Sequence, residues 1–339
     1  MRRKITAACM ACLLSIAILA GCQNAPASAA EKEAPEKVSE TQSGETEKTG
    51  EEISIVASIF PAYDWTRNVI GDAAGADLTL LVDSGVDLHS YQPSVEDILT
   101  ISQCDLFIYV GGESDSWATD ALAQAVNEDM VVINLLEALG EEAREEETVE
   151  GMEAAEEEEE GAYDEHVWLS LRNAMTLTKA IEEALAGIDP ENADIYAANL
   201  DTYLEKLSVL DQAYAEAVKE SPRNAFLFGD RFPFLYMAKD YGLTYYAAFS
   251  GCSAETEASF ETILFLSGKV DELGLHSVMT IDGSDQKIAK TIAETAGTDS
   301  VQILTLDSMQ SISAADMEAG TTYLSIMEEN LEVLKEALQ

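Results

Sequence analysis

The chain has 339 residues, and 64 acidic side chains against 19 basic ones give it a net charge of −45. So acidic a chain excludes nucleic acid as a partner, because phosphate binding needs a basic face. Its length exceeds one ordinary domain and suits two lobes.

Residues 1–21 read as an export signal. Arg2, Arg3 and Lys4 form a charged start, and Ile5 to Ala20 form an apolar run. The run is short for a spanning helix of about 20 residues. It ends in Leu19-Ala20-Gly21-Cys22, the processing site of a bacterial lipoprotein. Cys22 is therefore the expected lipidation site, and the chain is expected on the extracytoplasmic side of the cell membrane, held by its lipid. Residues 22–51 carry almost no large apolar side chain and read as a disordered tether. Cys104 and Cys252 are the cysteines left in the exported body. One disulfide or two free thiols both stand open. The lack of a Cys-x-x-Cys spacing in the body speaks against a thiolate metal site.

Residues 52–188 read as an N-terminal α/β lobe. Strands are expected at 53–59, 78–82, 106–110 and 131–135, alternating with helical patterns. Ser94-Val95-Glu96-Asp97 has the form of a capping box. The acidic tract 141–165, with Glu156 to Glu160 at its centre, reads as a mobile loop, since like charges this dense repel. Over 189–221, Leu200, Tyr203, Leu207, Leu210 and Tyr214 make one apolar stripe, that of a long linking helix. Residues 222–339 return to strand–helix alternation, with strands at 225–228, 243–248, 277–281 and 301–305. The fold class is thus α/β: two lobes, each a mainly parallel sheet flanked by helices, joined by one long helix.

In open parallel sheets, ligands bind beyond the carboxyl ends of the strands. Four groups are expected there. His89 lies in Gly85-Val86-Asp87-Leu88-His89-Ser90-Tyr91-Gln92-Pro93, and His166 in Asp164-Glu165-His166-Val167-Trp168-Leu169. Asp230 and Asp307 follow two strands of the second lobe. Neutral imidazole is the commonest transition-metal ligand, so two histidines and two carboxylates could close on one divalent cation. Each also has a plain reading, as a surface histidine or as a helix-capping or turn aspartate. His276 opens a strand and reads as structural or exposed.

The chain resembles the metal-binding lipoproteins that serve ABC transporters for zinc and manganese. Gly85 to Pro93 is similar to that family's Gly-Val-Asp-Pro-His-x-Tyr-x-Pro motif, and His166 to Leu169 to its His-x-Trp-Leu motif. Ser58 to Asp64, Tyr241-Gly242-Leu243, Ser253-Ala254-Glu255, Leu306-Asp307-Ser308 and Tyr323 to Leu334 resemble further landmarks. The resemblance implies a monomeric solute-binding protein that captures Zn2+, or alternatively Mn2+, between its lobes and delivers it to an ABC transporter permease. It carries the family's first two histidine ligands to His89 and His166 and its late aspartate to Asp307. The third ligand departs. Arg231 stands at that position, and a guanidinium cannot ligate, so Asp230 or a water completes the shell. Ser170 stands where the family often has Asp. The donor set suits zinc modestly better than manganese. An adhesin-like surface role is compatible with the same resemblance. The alternative of another class is a metal-dependent hydrolase on the same histidines, with Glu165 or Asp87 as base. No His-Glu-x-x-His or nucleophile elbow supports it.

Overall fold

The computed structural model describes residues 52–153, 161–253 and 257–339. The expected signal, the tether with Cys22, the Glu156 to Glu160 tract and the Ala254-Glu255 landmark lie outside the described residues. The described residues form one compact unit.

The first lobe runs β1 (Ile53–Ala57), α1 (Phe60–Ile70), β2 (Ala76–Leu80), α2 (Val95–Gln103), β3 (Leu106–Tyr109), α3 (Trp117–Leu122), β4 (Val131–Asn134) and α4 (Leu135–Leu139). Its strands pair in parallel in the order β2-β1-β3-β4. β1 and β3 are near-continuous apolar runs, as strands covered on both faces must be. Pro61 sits in the first turn of α1, where its missing N–H is no loss. The capping box of α2 is formed. Ser94 Oγ accepts from the Asp97 amide, and Asp97 accepts from the Ser94 amide.

Two helices follow, α5 (Leu171–Ile188) and α6 (Ala193–Glu220). α6 has 28 residues, about 42 Å of helix, and buries the stripe read from the sequence. The second lobe runs β5 (Ala225–Phe232), α7 (Leu235–Tyr241), β6 (Thr244–Ser250), α8 (Phe260–Leu273), β7 (Ser277–Ile281), α9 (Lys287–Thr295), β8 (Gln302–Leu306), α10 (Ala314–Glu318) and α11 (Tyr323–Ala337). Its sheet is also parallel, in the order β6-β5-β7-β8. Both sheets therefore place their first strand second in order. Crossovers leave it in opposite directions, which opens a crevice at the carboxyl edge.

β5 is longer than the sequence suggests. Its pairing with β6 breaks register between Phe228 and Arg231. Asp230 therefore lies within the irregular end of a strand, not on a loop after it. Such a break bends a strand and re-aims its side chains.

The largest hydrophobic cluster spans both lobes, from Ile53 to Leu338, and each lobe adds a smaller cluster of its own. Trp65, Trp168, Tyr203, Tyr214, Tyr236 and Tyr323 are fully buried. The polar ends of Trp168, Tyr236 and Tyr323 link the lobes. Tyr323 Oη donates to the Trp168 carbonyl at 2.7 Å, and Trp168 Nε1 donates to the Ser308 carbonyl at 2.8 Å. A continuous core with buried polar links makes a stiff hinge, since packed interiors deform little.

The acidic tract is not loose where it is described. After α4 the chain crosses to the second lobe. The Glu153 amide donates to the Ala248 carbonyl at 2.9 Å, and Glu147 pairs with Lys239 at 2.7 Å. Tyr245 Oη also donates to Glu147, at 3.2 Å. The chain then returns through the Glu145–Tyr163 bridge to His166. Charge density predicts a mobile loop; local donors on the second lobe offset that repulsion. No helix among the described residues is long and apolar enough to cross a membrane.

Candidate metal site

The crevice holds a cavity of about 780 Å³ lined from both lobes, including Asp87, His89, Glu165, Asp230, Arg231 and Cys252. His89 sits in a short helical turn between β2 and α2. Asp87 caps that turn by accepting from the His89 amide at 3.0 Å. His166 ends the acidic strap, and Asp164 accepts from its amide at 2.8 Å. Each histidine is thus fixed by an aspartate two residues earlier.

The imidazoles face each other, with Nε2 atoms 3.2 Å apart. His166 Nδ1 lies 3.0 Å from Asp164 Oδ1, and His89 Nδ1 lies 2.6 Å from Ser114 Oγ. With the proton of each imidazole on Nδ1, both Nε2 lone pairs face one point. Two lone pairs at that distance repel unless a proton or a cation lies between them. Tetrahedral zinc ligands at about 2.0–2.1 Å from the metal stand about 3.3–3.4 Å apart. The observed spacing matches.

Charge is arranged around the pair. Burial, followed by the charge of His166, pulls His89 down to about 3. Burial also opposes charge on His166, but the charge and hydrogen bond of Asp164 outweigh it and raise His166 above its ordinary value. One imidazole thus titrates readily and the other stays neutral. Glu165 is 2% exposed, its carboxyl raised chiefly by burial. Its Oε1 accepts the Ser114 amide at 2.9 Å. Its Oε2 has no hydrogen-bond partner and stands 3.7 Å from His89 Nδ1. Carboxylates behind ligand imidazoles set their tautomer and basicity.

The aspartates of the second lobe stand apart from the pair. Among the described residues, one group of three metal-ligand side chains has its ligand atoms within 4.8 Å of one another: His89, His166 and Cys252. Asp230 Oδ1 accepts the Arg231 amide at 2.9 Å, while its Oδ2 is buried without a hydrogen-bond partner. Asp307 Oδ1 accepts the Met309 amide at 2.8 Å. Burial, then the charge of Asp282, raises Asp307 to about 6. Arg231 reaches across the crevice to Asp87 Oδ2 at 2.6 Å. Burial opposes charge on Asp87, but this guanidinium holds its carboxyl below the ordinary range. Cys104 and Cys252 are both free thiols. Cys104 packs in the first lobe and donates to the Ile101 carbonyl at 3.2 Å.

Reading along the sequence missed Cys252. It lies just past β6, at the same carboxyl edge that singled out Asp230 and Asp307. Applying that rule to every strand end would have found it. Gly251 lets the loop approach. A Cβ there would stand 3.0 Å from the Phe232 carbonyl and 3.1 Å from His166 Nδ1. Gly251→Ala should push the imidazole off its position and weaken zinc binding about 10–100-fold, the usual range for damage to a ligand's support. Calorimetric titration checks this, and unchanged affinity would show that the loop can give way.

Two α/β lobes closing a polar crevice around converging imidazoles define a two-lobed binding protein rather than a surface with scattered histidines. The chain belongs to the family described as zinc-uptake complex component A, periplasmic, whose model matches residues 55–337. It is 30% identical over 292 residues to the zinc-binding protein AdcA of Streptococcus pyogenes, covering 84% of this chain and 55% of that protein. The chain thus spans about half the length of that relative. It is 27% identical to the high-affinity zinc uptake system protein ZnuA of Bacillus subtilis, covering 87% of this chain and 90% of that one. The Zn(II)-bound ZnuA-like domain of Streptococcus pneumoniae AdcA superposes with a TM-score of 0.66 at 28% identity, over 85% of this chain and 99% of that one.

Proposed function

We propose that this protein captures a divalent transition metal, zinc ahead of manganese, in the interlobe crevice and delivers it to an ABC transporter permease. His89 and His166 supply the first two ligands through Nε2. Asp307 and Asp230 stand on the facing lobe, outside the group of side chains whose ligand atoms converge. Cys22 carries the lipid that holds the monomer at the extracytoplasmic face of the membrane. The observation that carries this reading is the 3.2 Å approach of the two Nε2 atoms, each backed at Nδ1. The names of the relatives support zinc as the cargo. The stiff, continuous core supports binding with small domain movement. Of the two bases the hydrolase alternative would call on, Asp87 is held by Arg231.

Calorimetry with zinc and with manganese tests the proposal. Zinc should bind one to one and more tightly than manganese, and His89→Ala should abolish binding. Failure of both metals to bind would sink it. Acid should release the metal. His166 takes its proton above the ordinary histidine value, so affinity is full well above pH 6.5 and falls as pH drops through that region. His89, near 3, stays neutral there. One protonation at the site predicts about a tenfold loss per pH unit. Affinity flat between pH 8 and pH 5 would contradict this.

A further inference from the structure

Arg231 leaves the histidine pair without its expected third side chain, and its guanidinium is engaged with Asp87 at 2.6 Å. The residue beside the pair is instead Cys252. Its sulfur lies within 4.8 Å of the ligand nitrogens of both His89 and His166, which no aspartate or glutamate among the described residues does together with both. We infer that Cys252 is the third metal ligand, making a His2Cys centre whose fourth position is open to water.

Three features of the crevice support this assignment. The Cys252 amide donates to Glu146 Oε1 at 2.9 Å, so the acidic strap that delivers His166 also positions the cysteine. Gly251 gives the loop its close approach to the His166 ring. Glu165 Oε2, on a side chain 2% exposed and lining the same cavity, has no hydrogen-bond partner and backs His89 Nδ1. Ser114 Oγ at 2.6 Å holds His89 Nδ1, so this oxygen at 3.7 Å is a buried, unused acceptor facing the site. Asp230 Oδ2 is also without a partner, but neither Asp230 nor Asp307 belongs to the converging group. In tetrahedral zinc geometry a sulfur at about 2.3 Å and a nitrogen at about 2.0 Å from the metal stand about 3.5 Å apart. A small advance of the Gly251-Cys252 loop supplies the rest.

The chemistry is simple and balanced. A metal–sulfur bond forms, the S–H bond breaks, and the proton leaves to solvent. No electron is transferred. The consequence is selectivity. Thiolate is a soft ligand that favours zinc, while manganese prefers oxygen donors. The crevice would therefore discriminate against manganese more strongly than a histidine–carboxylate set could. An open fourth position also gives a receiving permease a point of attack on the bound ion.

This inference rests on the proposed metal-binding function, and cobalt separates the two. Co2+ added to the purified chain should give a thiolate-to-cobalt charge-transfer band in the near ultraviolet. Cys252→Ser should lose that band and bind zinc at least about tenfold more weakly, while Cys104→Ser should keep both. Zinc should also protect Cys252 of the unmutated chain from alkylation, read by mass spectrometry. Stoichiometric cobalt binding without the band would overturn the sulfur assignment and leave the binding function standing. So would parental zinc affinity in Cys252→Ser. A parent chain that holds neither cobalt nor zinc would overturn both.

Discussion

His166→Ala should lose zinc binding by at least about a thousandfold, which is about 4 kcal/mol. It should also lower the melting temperature of the metal-free protein. The first effect follows from removing one of two converging Nε2 donors. The second follows from burial. His166 is fully buried and Asp164 is 1% exposed, and the two meet at 3.0 Å. Removing the imidazole leaves a buried carboxylate short of a partner, at a cost of about 3–5 kcal/mol. For a body of this size that is upwards of about 6 °C. His89→Ala is the control. Its side chain is 14% exposed and faces Ser114 at the crevice wall. It should match the zinc loss with little change in melting temperature. Calorimetry and thermal denaturation read both variants, and parental zinc affinity in His166→Ala would refute the site.

Trp168→Ala should destabilise the protein by about 3–5 kcal/mol, although Trp168 touches no metal. The side chain is fully buried in the core shared by the lobes. Its indole N–H holds the Ser308 carbonyl at 2.8 Å, next to Asp307. Its ring lies 5.3 Å from that of His166. The substitution leaves a cavity, frees the Asp307 loop and removes the surface against which His166 is packed. Zinc affinity should fall about 10–100-fold as a result. Trp168→Phe restores much of the volume but not the hydrogen bond, and should recover most of the stability. Denaturant unfolding measures the difference. A Trp168→Ala protein within about 1 kcal/mol of the parent would mean the lobes are not joined through this residue.

The two histidine segments were legible because their signals are local. His89 and His166 each follow an aspartate by two residues in a short polar turn, and each caps itself there. The strands were legible for the same reason. Buried parallel strands are apolar runs that need no partner to be recognised. Asp230 was placed on a loop because a register break is a property of two strands, and β5 read alone gives no sign of it. The anchors of the acidic strap were not legible, because Lys239 and Tyr245, which hold Glu147, lie about a hundred residues away in the chain. Cys252 escaped for a related reason. The strand-end rule marks its loop, but only the fold shows that the loop comes beside both imidazoles.

By itself, then, the sequence determined the α/β class, the two-lobed plan, the imidazole pair and the class of cargo those imidazoles suit. Periodicity, caps and short motifs act over a few residues, so they are written in the chain directly. Tertiary structure alone decided that Arg231 turns to Asp87 and that Asp230 and Asp307 stand back on the amides of Arg231 and Met309. It also decided that a cysteine from a different strand end comes beside the two histidines. Those outcomes depend on the closure of two sheets against one core, where a displacement of about an ångström separates a ligand from a bystander.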